Sequence, residues 1–284
     1  MIPCAIRAAG PFVALVFLFL TSCAAEPQPV ELGWTPDAPA VYRVSVDSGS
    51  RFSGPVSNLS SETRLVATLG VTPLSESEAE VEILGLGAST TDAQGEAVGL
   101  SLPDTTGETA TVRFSSPGVV EGVEGGDSLL STEVSLVSME DVVRSVFPPL
   151  PEGSFLPADT WTGGLPAPFP NLGEDFVRMR YVVDSAGAEP EVTGRELSVA
   201  PRPFATQTAA DEVRGEGHLD VEFQGTLDRR GGYGSSRRNA TFESDFLQLG
   251  SGGYANGGLR LTQNLEVEKL SEFEQFGLDA VRPG

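Results

Sequence analysis

The sequence contains few of the residues on which metal sites, disulfides and nucleophilic catalysis depend. Its 284 residues include one histidine, His218, and two cysteines, Cys4 and Cys23. A zinc site of the cysteine/histidine type takes about four such ligands, and a Ser-His-Asp triad needs its histidine beside an activated serine. Gly-x-Ser-x-Gly, P-loop and dinucleotide-binding motifs do not occur. The sequence therefore predicts a protein that is not an enzyme and that binds no metal or cofactor.

Basic residues are scarce as well, and lysine is almost absent. The chain has 40 acidic and 18 basic residues, a net charge of −22, and Lys269 is its single lysine. An acidic surface is repelled by the phosphates of nucleic acids and by anionic lipid head groups, so nucleic acid is not an expected partner. Carboxylates are plentiful, and the residues alone therefore allow a paired-carboxylate glycosidase or a weak calcium site as alternatives.

Long apolar runs are absent except near the N-terminus. Pro11 to Leu20 form a run of ten residues that follows the positive charge of Arg7, whereas a membrane-spanning helix needs about 20 apolar residues. The run instead fits the apolar centre of an export signal. The next residues, Leu20-Thr21-Ser22-Cys23, resemble a bacterial lipobox.

This resemblance implies that residues 1–22 are a lipoprotein signal peptide and that Cys23 carries diacylglycerol and palmitate after cleavage. Ordinary cleavage near Ala24, which would release a free secreted protein, is the alternative. Because residue 24 is not aspartate, the resemblance implies outer-membrane routing in a host with two membranes. Residues 23–40 contain four prolines and are predicted to be a semi-rigid tether. We expect a cell-envelope protein whose membrane partner is reached through the lipid on Cys23.

Residues 41–270 show the alternation of apolar and polar residues that is typical of half-buried strands. The alternating segments form two sets, at about 41–125 and about 174–270, and residues 271–284 are predicted to be a C-terminal tail. The two sets could be halves of one sheet or two small sheets. Clear segments are Glu78–Ile83, Val177–Val183, Leu219–Phe223 and Leu259–Glu268, and shorter candidates are Ala110–Phe114, Glu196–Val199 and Thr241–Leu249.

One segment, residues 136–147, has a helical period instead. Its apolar residues recur every three to four positions, which indicates an amphipathic helix that ends before Pro148. The predicted fold is mainly β: a strongly curved antiparallel sheet or half-barrel whose concave face is partly covered by this helix. An apolar groove between sheet and helix would be lined by Leu136, Met139 and Val143, unless these side chains simply fill the core.

The connector after the helix carries a family resemblance. Leu150-Pro151 followed by Ala158-Asp159-Thr160-Trp161 resembles the "LP…GD-x-W" segment of a group of β-rich bacterial lipoproteins that usually has glycine in place of Ala158. The layout is also similar to lipoprotein-carrier and LppX/LprG-type lipid-binding proteins, which implies a lipid-binding module. From the residues alone, Asp159 is predicted to accept backbone N–H groups in a turn, and Trp161 to bury its ring at a strand start.

Four arginines flank the glycine-rich segment 231–236, and they are Arg229, Arg230, Arg237 and Arg238. Guanidinium groups chelate phosphate and carboxylate, which predicts an anion or head-group contact at a hairpin tip. The alternative is a solvated hairpin whose arginines pair with nearby acids such as Asp228 and Glu243. His218 is predicted to be an exposed or satisfied histidine without a catalytic role.

These features lead to one functional prediction and one alternative. The prediction is a membrane-anchored envelope lipoprotein that binds an apolar ligand, a lipid or an envelope protein without catalysing a reaction. The alternative is a structural or protein-interaction lipoprotein that has no small-molecule pocket. A cavity large enough for an acyl chain would favour the first.

Overall fold

A computed structural model describes residues 29–32, 38–54, 58–91, 96–116, 119–126, 130, 133–134, 136–147, 149, 153–169, 176–185, 189–207, 212–228, 232–250 and 253–271. The predicted signal peptide 1–22, the lipidation site Cys23 and nearly all of the tail 271–284 lie outside these ranges. Among the described residues, no helix has the length and apolar character that a membrane crossing requires.

The described part of the chain is built mostly of strands, with one short helix, α1 (Met139–Ser145). The strands of the first half are β1 (Val30–Leu32), β2 (Ala40–Ser53), β3 (Asn58–Ser75), β4 (Glu78–Thr91), β5 (Ala97–Gly99), β6 (Thr109–Ser116), β7 (Val119–Glu124), β8 (Glu133–Val134) and β9 (Val137–Ser138). Those of the second half are β10 (Gly153–Phe155), β11 (Thr160–Pro166), β12 (Phe176–Ser185), β13 (Glu191–Glu196), β14 (Arg202–Gln207), β15 (Glu212–Leu227), β16 (Tyr233–Gly250) and β17 (Gly253–Lys269).

Thirteen of these strands form one large antiparallel sheet. Its main path runs β11-β12-β13-β15-β16-β17-β2-β3-β4-β6-β7, with β14 beside β15 and β5 beside β4. The two predicted strand sets therefore belong to one sheet, because β17 pairs with β2 from Gly258↔Ser53 to Lys269↔Tyr42. Two small pairs lie apart from it: β1 pairs with β10, which places Val30–Leu32 of the predicted tether beside the connector, and β8 pairs with β9.

The sheet has one face in the core and one in solvent, as the alternation predicts. In β2 the side chains of Tyr42, Val44 and Val46 are buried, while Asp47 between two buried positions is exposed. The same alternation holds in β4, where Ala79, Val81 and Ile83 are fully buried. Burial of such side chains contributes roughly 1.5–3 kcal/mol each for the larger aliphatics, which is the main force that holds the two halves together.

The sheet is curved and does not close into a barrel. Strands β7 and β11 are the two ends of its path, and they are not paired with each other in the part of the chain that the structure describes. Both of them contact α1, so the sheet bends until its two ends flank the helix. The predicted fold class, a mainly β chain with a large curved antiparallel sheet and a short helix, is confirmed.

Two of the predicted boundaries are wrong. The helix begins at Met139 and not at Leu136, because Ser138 is its N-cap and accepts a hydrogen bond from the backbone N–H of Asp141 at 3.1 Å. Leu136 lies in the turn between β8 and β9. The predicted strand at 196–199 is also displaced, since β13 ends at Glu196 and Val199 is exposed.

The turn before β11 has the local structure that the connector predicts. The Asp159 carboxylate accepts a hydrogen bond from the backbone N–H of Leu156 at 2.8 Å, and the N–H of Asp159 donates to the Leu156 carbonyl at 3.0 Å. Ala158 adopts a φ of 72°, a left-handed conformation that glycine reaches without a steric penalty. A glycine at position 158 would therefore avoid this penalty.

We therefore expect Ala158→Gly to raise the free energy of unfolding by about 1 kcal/mol, because a Cβ in the left-handed region costs about 1–2 kcal/mol and glycine offsets part of the gain through its unfolded-state entropy. Urea denaturation would measure the change. Ala97→Gly, at an exposed position in β5 without a positive φ, is the matched control and should lower stability by about 0.5–1 kcal/mol. Equal effects of the two substitutions on the free energy of unfolding would contradict the left-handed conformation of Ala158.

Candidate functional site

A cavity of about 540 Å³ lies where the two ends of the sheet meet the helix. One wall is β7, with Val119 and Val120, and the opposite wall is β11, from Trp161 to Pro166. The C-terminal end of α1 and Phe147 border it, and the inner faces of β15, β16 and β17 form its floor. The cavity thus exists because the sheet stays open between β7 and β11.

Aromatic rings form the wall on the β11 side. The indole of Trp161 stacks on the ring of Tyr181 with centroids 5.2 Å apart, and its Nε1–H donates to the Pro149 carbonyl at 3.2 Å. Tyr181 in turn contacts Phe223 edge-on at 5.6 Å, and Phe223 lies 5.9 Å from Tyr233. Large rings fixed by one another and by a hydrogen bond make a rigid, mostly apolar surface.

Among the described residues that form the floor of the cavity, Arg238 alone is charged, and its side chain is only 4% exposed. Its Nη1 donates to the Pro166 carbonyl at 3.0 Å, and its Nη2 donates to the Gln263 Oε1. Its Nε–H has no hydrogen-bond partner among the described residues. Burial lowers the pKa of Arg238 and the charge of Asp141 raises it, yet no ion pair joins these two side chains in the described structure.

A second buried polar group without a partner lies nearby. The hydroxyl of Tyr181 has no hydrogen-bond partner within the described ranges. Burial raises the pKa of Tyr181, and the positive charge of Arg238 acts in the opposite direction. A buried polar group without a partner costs about 1–3 kcal/mol. Of these two residues, Arg238 borders the cavity, so a polar group of another molecule would be stabilised beside it.

The mouth of the cavity is partly apolar and carries a paired arginine. Arg144 of α1 forms an ion pair with Glu140 at 2.7 Å, and its guanidinium lies 5.8 Å from the centroid of the Phe176 ring. Phe176 is 48% exposed and Val119 is 42% exposed. Glu121 also borders the cavity. Exposed apolar side chains at such an opening are typical of a binding site.

The predicted groove residues are not the ones that line the cavity. Met139 and Val143 are 0% exposed and belong to the core, and Leu136 is half-buried. None of the three borders the cavity, because the inner face of α1 packs tightly and the open space lies at its C-terminal end. Met139 and Val143 are part of the hydrophobic core, and Leu136 packs against it.

The arginine cluster is only partly described, since Arg229 and Arg230 lie outside the described residues. Arg237 and Arg238 are neighbours in β16 and therefore point to opposite faces of the sheet. Arg237 is exposed and forms an ion pair with Glu266 on β17, whereas Arg238 is inside. The two described arginines do not converge on one surface, and an anion contact at the hairpin tip stays a prediction for Arg229 and Arg230.

The remaining candidates for chemistry lie on the outer face. His218 of β15 is exposed and borders a shallow polar depression with Glu216, Glu243 and Asp245. No group of three or more histidine, cysteine, aspartate or glutamate side chains that could hold a metal ion is found among the described residues.

Two site residues, Arg238 and Trp161, were assigned other roles by the sequence. The sequence pattern groups Arg238 with the arginines of the hairpin tip, whereas the structure places it on the inner face of β16. The buried residues on that face are Ser236, Arg238, Ala240 and Phe242. Ala240 and Phe242 follow Arg238 by two and four positions in the same strand, and their apolar character indicates that Arg238 lies on the buried face. Trp161 is at a strand start as predicted, but it also borders the cavity.

No protein-family model matches the sequence, and a search of curated proteins finds no match. Among solved structures, a lipovitellin structure described by the words "lipid-protein interactions in lipovitellin" matches with a TM-score of 0.53 and 11% identity. The match covers 84% of this chain and 25% of the lipovitellin chain, so this protein spans about a quarter of that chain's length. The likeness shows a shared β-rich fold.

A second match is DynF from the dynemicin biosynthesis pathway of Micromonospora chersina. It covers 89% of each chain at 9% identity with a TM-score of 0.27, which is too low to inform the fold. The resemblance of the connector to the "LP…GD-x-W" lipoproteins stays a prediction, since no family model supports it.

Proposed function

We propose that this protein is a membrane-tethered binding module that holds an apolar chain, such as that of a lipid, in the cavity between β7 and β11. The observation that carries the proposal is the cavity itself, whose volume of about 540 Å³ lies within the about 300–1,000 Å³ typical of small-molecule sites. Its walls are apolar and aromatic, and its mouth exposes Val119 and Phe176. The likeness in fold to lipovitellin, whose structure is described in terms of lipid–protein interactions, is consistent with this.

The tether in this proposal rests on the N-terminal sequence. The apolar run 11–20 and the lipobox-like residues before Cys23 support export, acylation of Cys23 and attachment to a membrane of the cell envelope. Two or three acyl chains on one cysteine anchor a protein stably. Because a lipid ligand resides in or next to a membrane, an anchored module would be held close to its source.

The proposal includes no catalytic step. The single histidine, His218, lies on the outer face, away from the cavity. The charged residues that border the cavity are Glu121, Arg144 and Arg238, and the two arginines have hydrogen-bond partners that fix them in place. Side chains held in this way can bind and orient a ligand.

The test uses Trp161 as a reporter, since its indole borders the cavity. Trp34 is the only other tryptophan, so in a Trp34→Phe variant all tryptophan fluorescence comes from Trp161. We expect brominated palmitic acid to quench this fluorescence saturably, because bromine quenches an indole that it contacts. The protein would be purified from the cells that make it, and native mass spectrometry would show whether a lipid is already bound.

The matched control is the opposite variant, Trp161→Phe, which leaves Trp34 as the reporter. Quenching that is saturable with Trp161 and merely proportional to concentration with Trp34 would support the cavity as the site. If neither brominated palmitic acid nor brominated hexadecanol quenches Trp161 and no lipid co-purifies, the proposed function is wrong, and a protein-interaction lipoprotein becomes the better hypothesis.

A further inference from the structure

We infer that the occupant of the cavity is an acyl chain that ends in a carboxylate, and that Arg238 on the cavity floor binds this acidic head group. The inference rests on the proposed function, since it specifies the ligand of the same cavity. It depends on the position of Arg238, on the partners that Arg238 lacks and on the apolar residues around it.

The sheet register places Arg238 in a row that is otherwise apolar. Phe223 of β15 lies directly opposite Arg238 on one side, and Leu265 of β17 lies opposite it on the other. Beyond Leu265 the row continues through Val46 and Leu65. Directly opposed side chains have Cβ atoms about 4.5–5.5 Å apart, so Arg238 is the one cation in a row of apolar side chains across the inner face.

The hydrogen-bond partners of Arg238 are neutral, and no carboxylate forms an ion pair with it in the described structure. Its two terminal nitrogens donate to neutral oxygens, the Pro166 carbonyl and the Gln263 side chain. Gln263 is itself fixed, because its Nε2 donates to the Pro168 carbonyl at 2.8 Å. The Nε–H has no partner within the described residues. A buried charge is costly unless it is paired. An anion that enters the cavity would therefore provide the negatively charged partner that no described side chain provides through an ion pair.

The nearest acids do not fill this role. Asp141 influences Arg238 through its charge, but it lies at the start of α1, where its backbone N–H donates to Ser138 Oγ, and it forms no ion pair with Arg238 in the described structure. Glu140 is paired with Arg144 at the mouth. Glu121 borders the cavity from β7 and is exposed. The guanidinium therefore lies at the end of an apolar pocket, which is the arrangement that suits a fatty acid entering head first.

A competition experiment with the Trp161 reporter tests this inference. Brominated palmitic acid would be displaced at neutral pH by palmitic acid, by hexadecanol and by methyl palmitate, which share one chain but differ in charge. We expect the acid to bind about tenfold more tightly than the alcohol or the ester, the ratio that corresponds to about 1.4 kcal/mol. This comparison needs no change in the site, so it decides the question even where variants fold poorly.

Two variants connect the preference to Arg238. Arg238→Gln should abolish the preference for the acid, and Arg238→Lys, which keeps the charge, should retain part of it. Arg237→Gln, on the exposed face of the same strand, should behave like the unchanged protein. Equal affinity for acid and alcohol, or a preference that survives Arg238→Gln, would overturn the inference while leaving an apolar-ligand site intact. Failure of all three compounds to compete, with no quenching by any brominated chain, would instead overturn the proposed function.

Discussion

Phe242→Ala is expected to lower the free energy of unfolding by about 3–5 kcal/mol, the range measured for truncation of a fully buried phenylalanine. Phe242 is 0% exposed and lies in β16 near the centre of the sheet. Its ring packs edge-on against Phe204 with centroids 5.7 Å apart. Removing it would leave a cavity that the surrounding strands cannot close.

The backbone beneath Phe242 is built for this ring. Gly217 lies in the adjacent strand β15, and a Cβ there would come within 2.7 Å of the Phe242 Cε2 and 2.6 Å of the Glu243 carbonyl oxygen. Glycine is therefore required because the ring covers the position where a side chain would begin. The strands cannot move inward to fill the space without losing their pairing. We therefore expect the loss in free energy of unfolding for Phe242→Ala to lie in the upper part of the range of about 3–5 kcal/mol.

Phe176→Ala is the matched control for this prediction. Phe176 is also a strand phenylalanine, but it is half exposed and its ring interaction is with the Arg144 guanidinium. Phe176→Ala should lower the free energy of unfolding by about 1 kcal/mol or less, the size of an exposed cation–π interaction. Guanidinium denaturation of the two variants measures both changes. A loss at Phe242 as small as that at Phe176 would mean that the inner face of β16 is not the centre of the core.

The strands were predictable because their environment differs between faces. In β17, Leu261, Leu265 and Val267 are buried while Arg260 and Glu268 are exposed, and such alternation is visible within a short segment of the sequence. The turn at Asp159 was predictable for a similar reason, since its hydrogen bonds connect residues only three positions apart. Interactions between residues that are close in the sequence can therefore be predicted from a short segment of it.

The pairing of β17 with β2 was not predictable from these patterns. Leu265 lies opposite Val46, and both would fit equally well beside many other apolar strand residues. Alternation specifies which face is buried but not which strand is the neighbour. The sequence therefore left two arrangements, one sheet or two, and long-range pairing decided between them.

The cavity was harder to predict than the fold, because an apolar residue has the same sequence pattern whether it lines a cavity or packs in the core. Met139 and Val143 have the apolar character expected of groove residues, and that same character places them in the packed core. The four arginines around residues 231–236 predict an anion contact at a hairpin tip or, as the alternative, a solvated hairpin. Both interpretations place Arg238 at the surface, because charge usually indicates exposure. A buried cation violates that rule, and such violations are concentrated at binding sites.

Ser236→Phe is expected to lower the affinity for an acyl chain at least about tenfold, a loss of about 1.4 kcal/mol or more, while the protein stays folded. Ser236 is 8% exposed, borders the cavity and lies two residues from Arg238 on the same face of β16. A phenylalanine there would occupy space that the ligand needs and would contact apolar walls, so it should not destabilise the fold as strongly as overpacking of a filled core does.

Ser235→Phe is the matched control. Ser235 is exposed on the opposite face of the strand, so this variant should bind the acyl chain normally. Titration of brominated palmitic acid against Trp161 fluorescence would compare them. Undiminished binding by a folded Ser236→Phe protein would place the ligand elsewhere, and equal losses in both variants would show that the effect comes from the strand and not from the cavity.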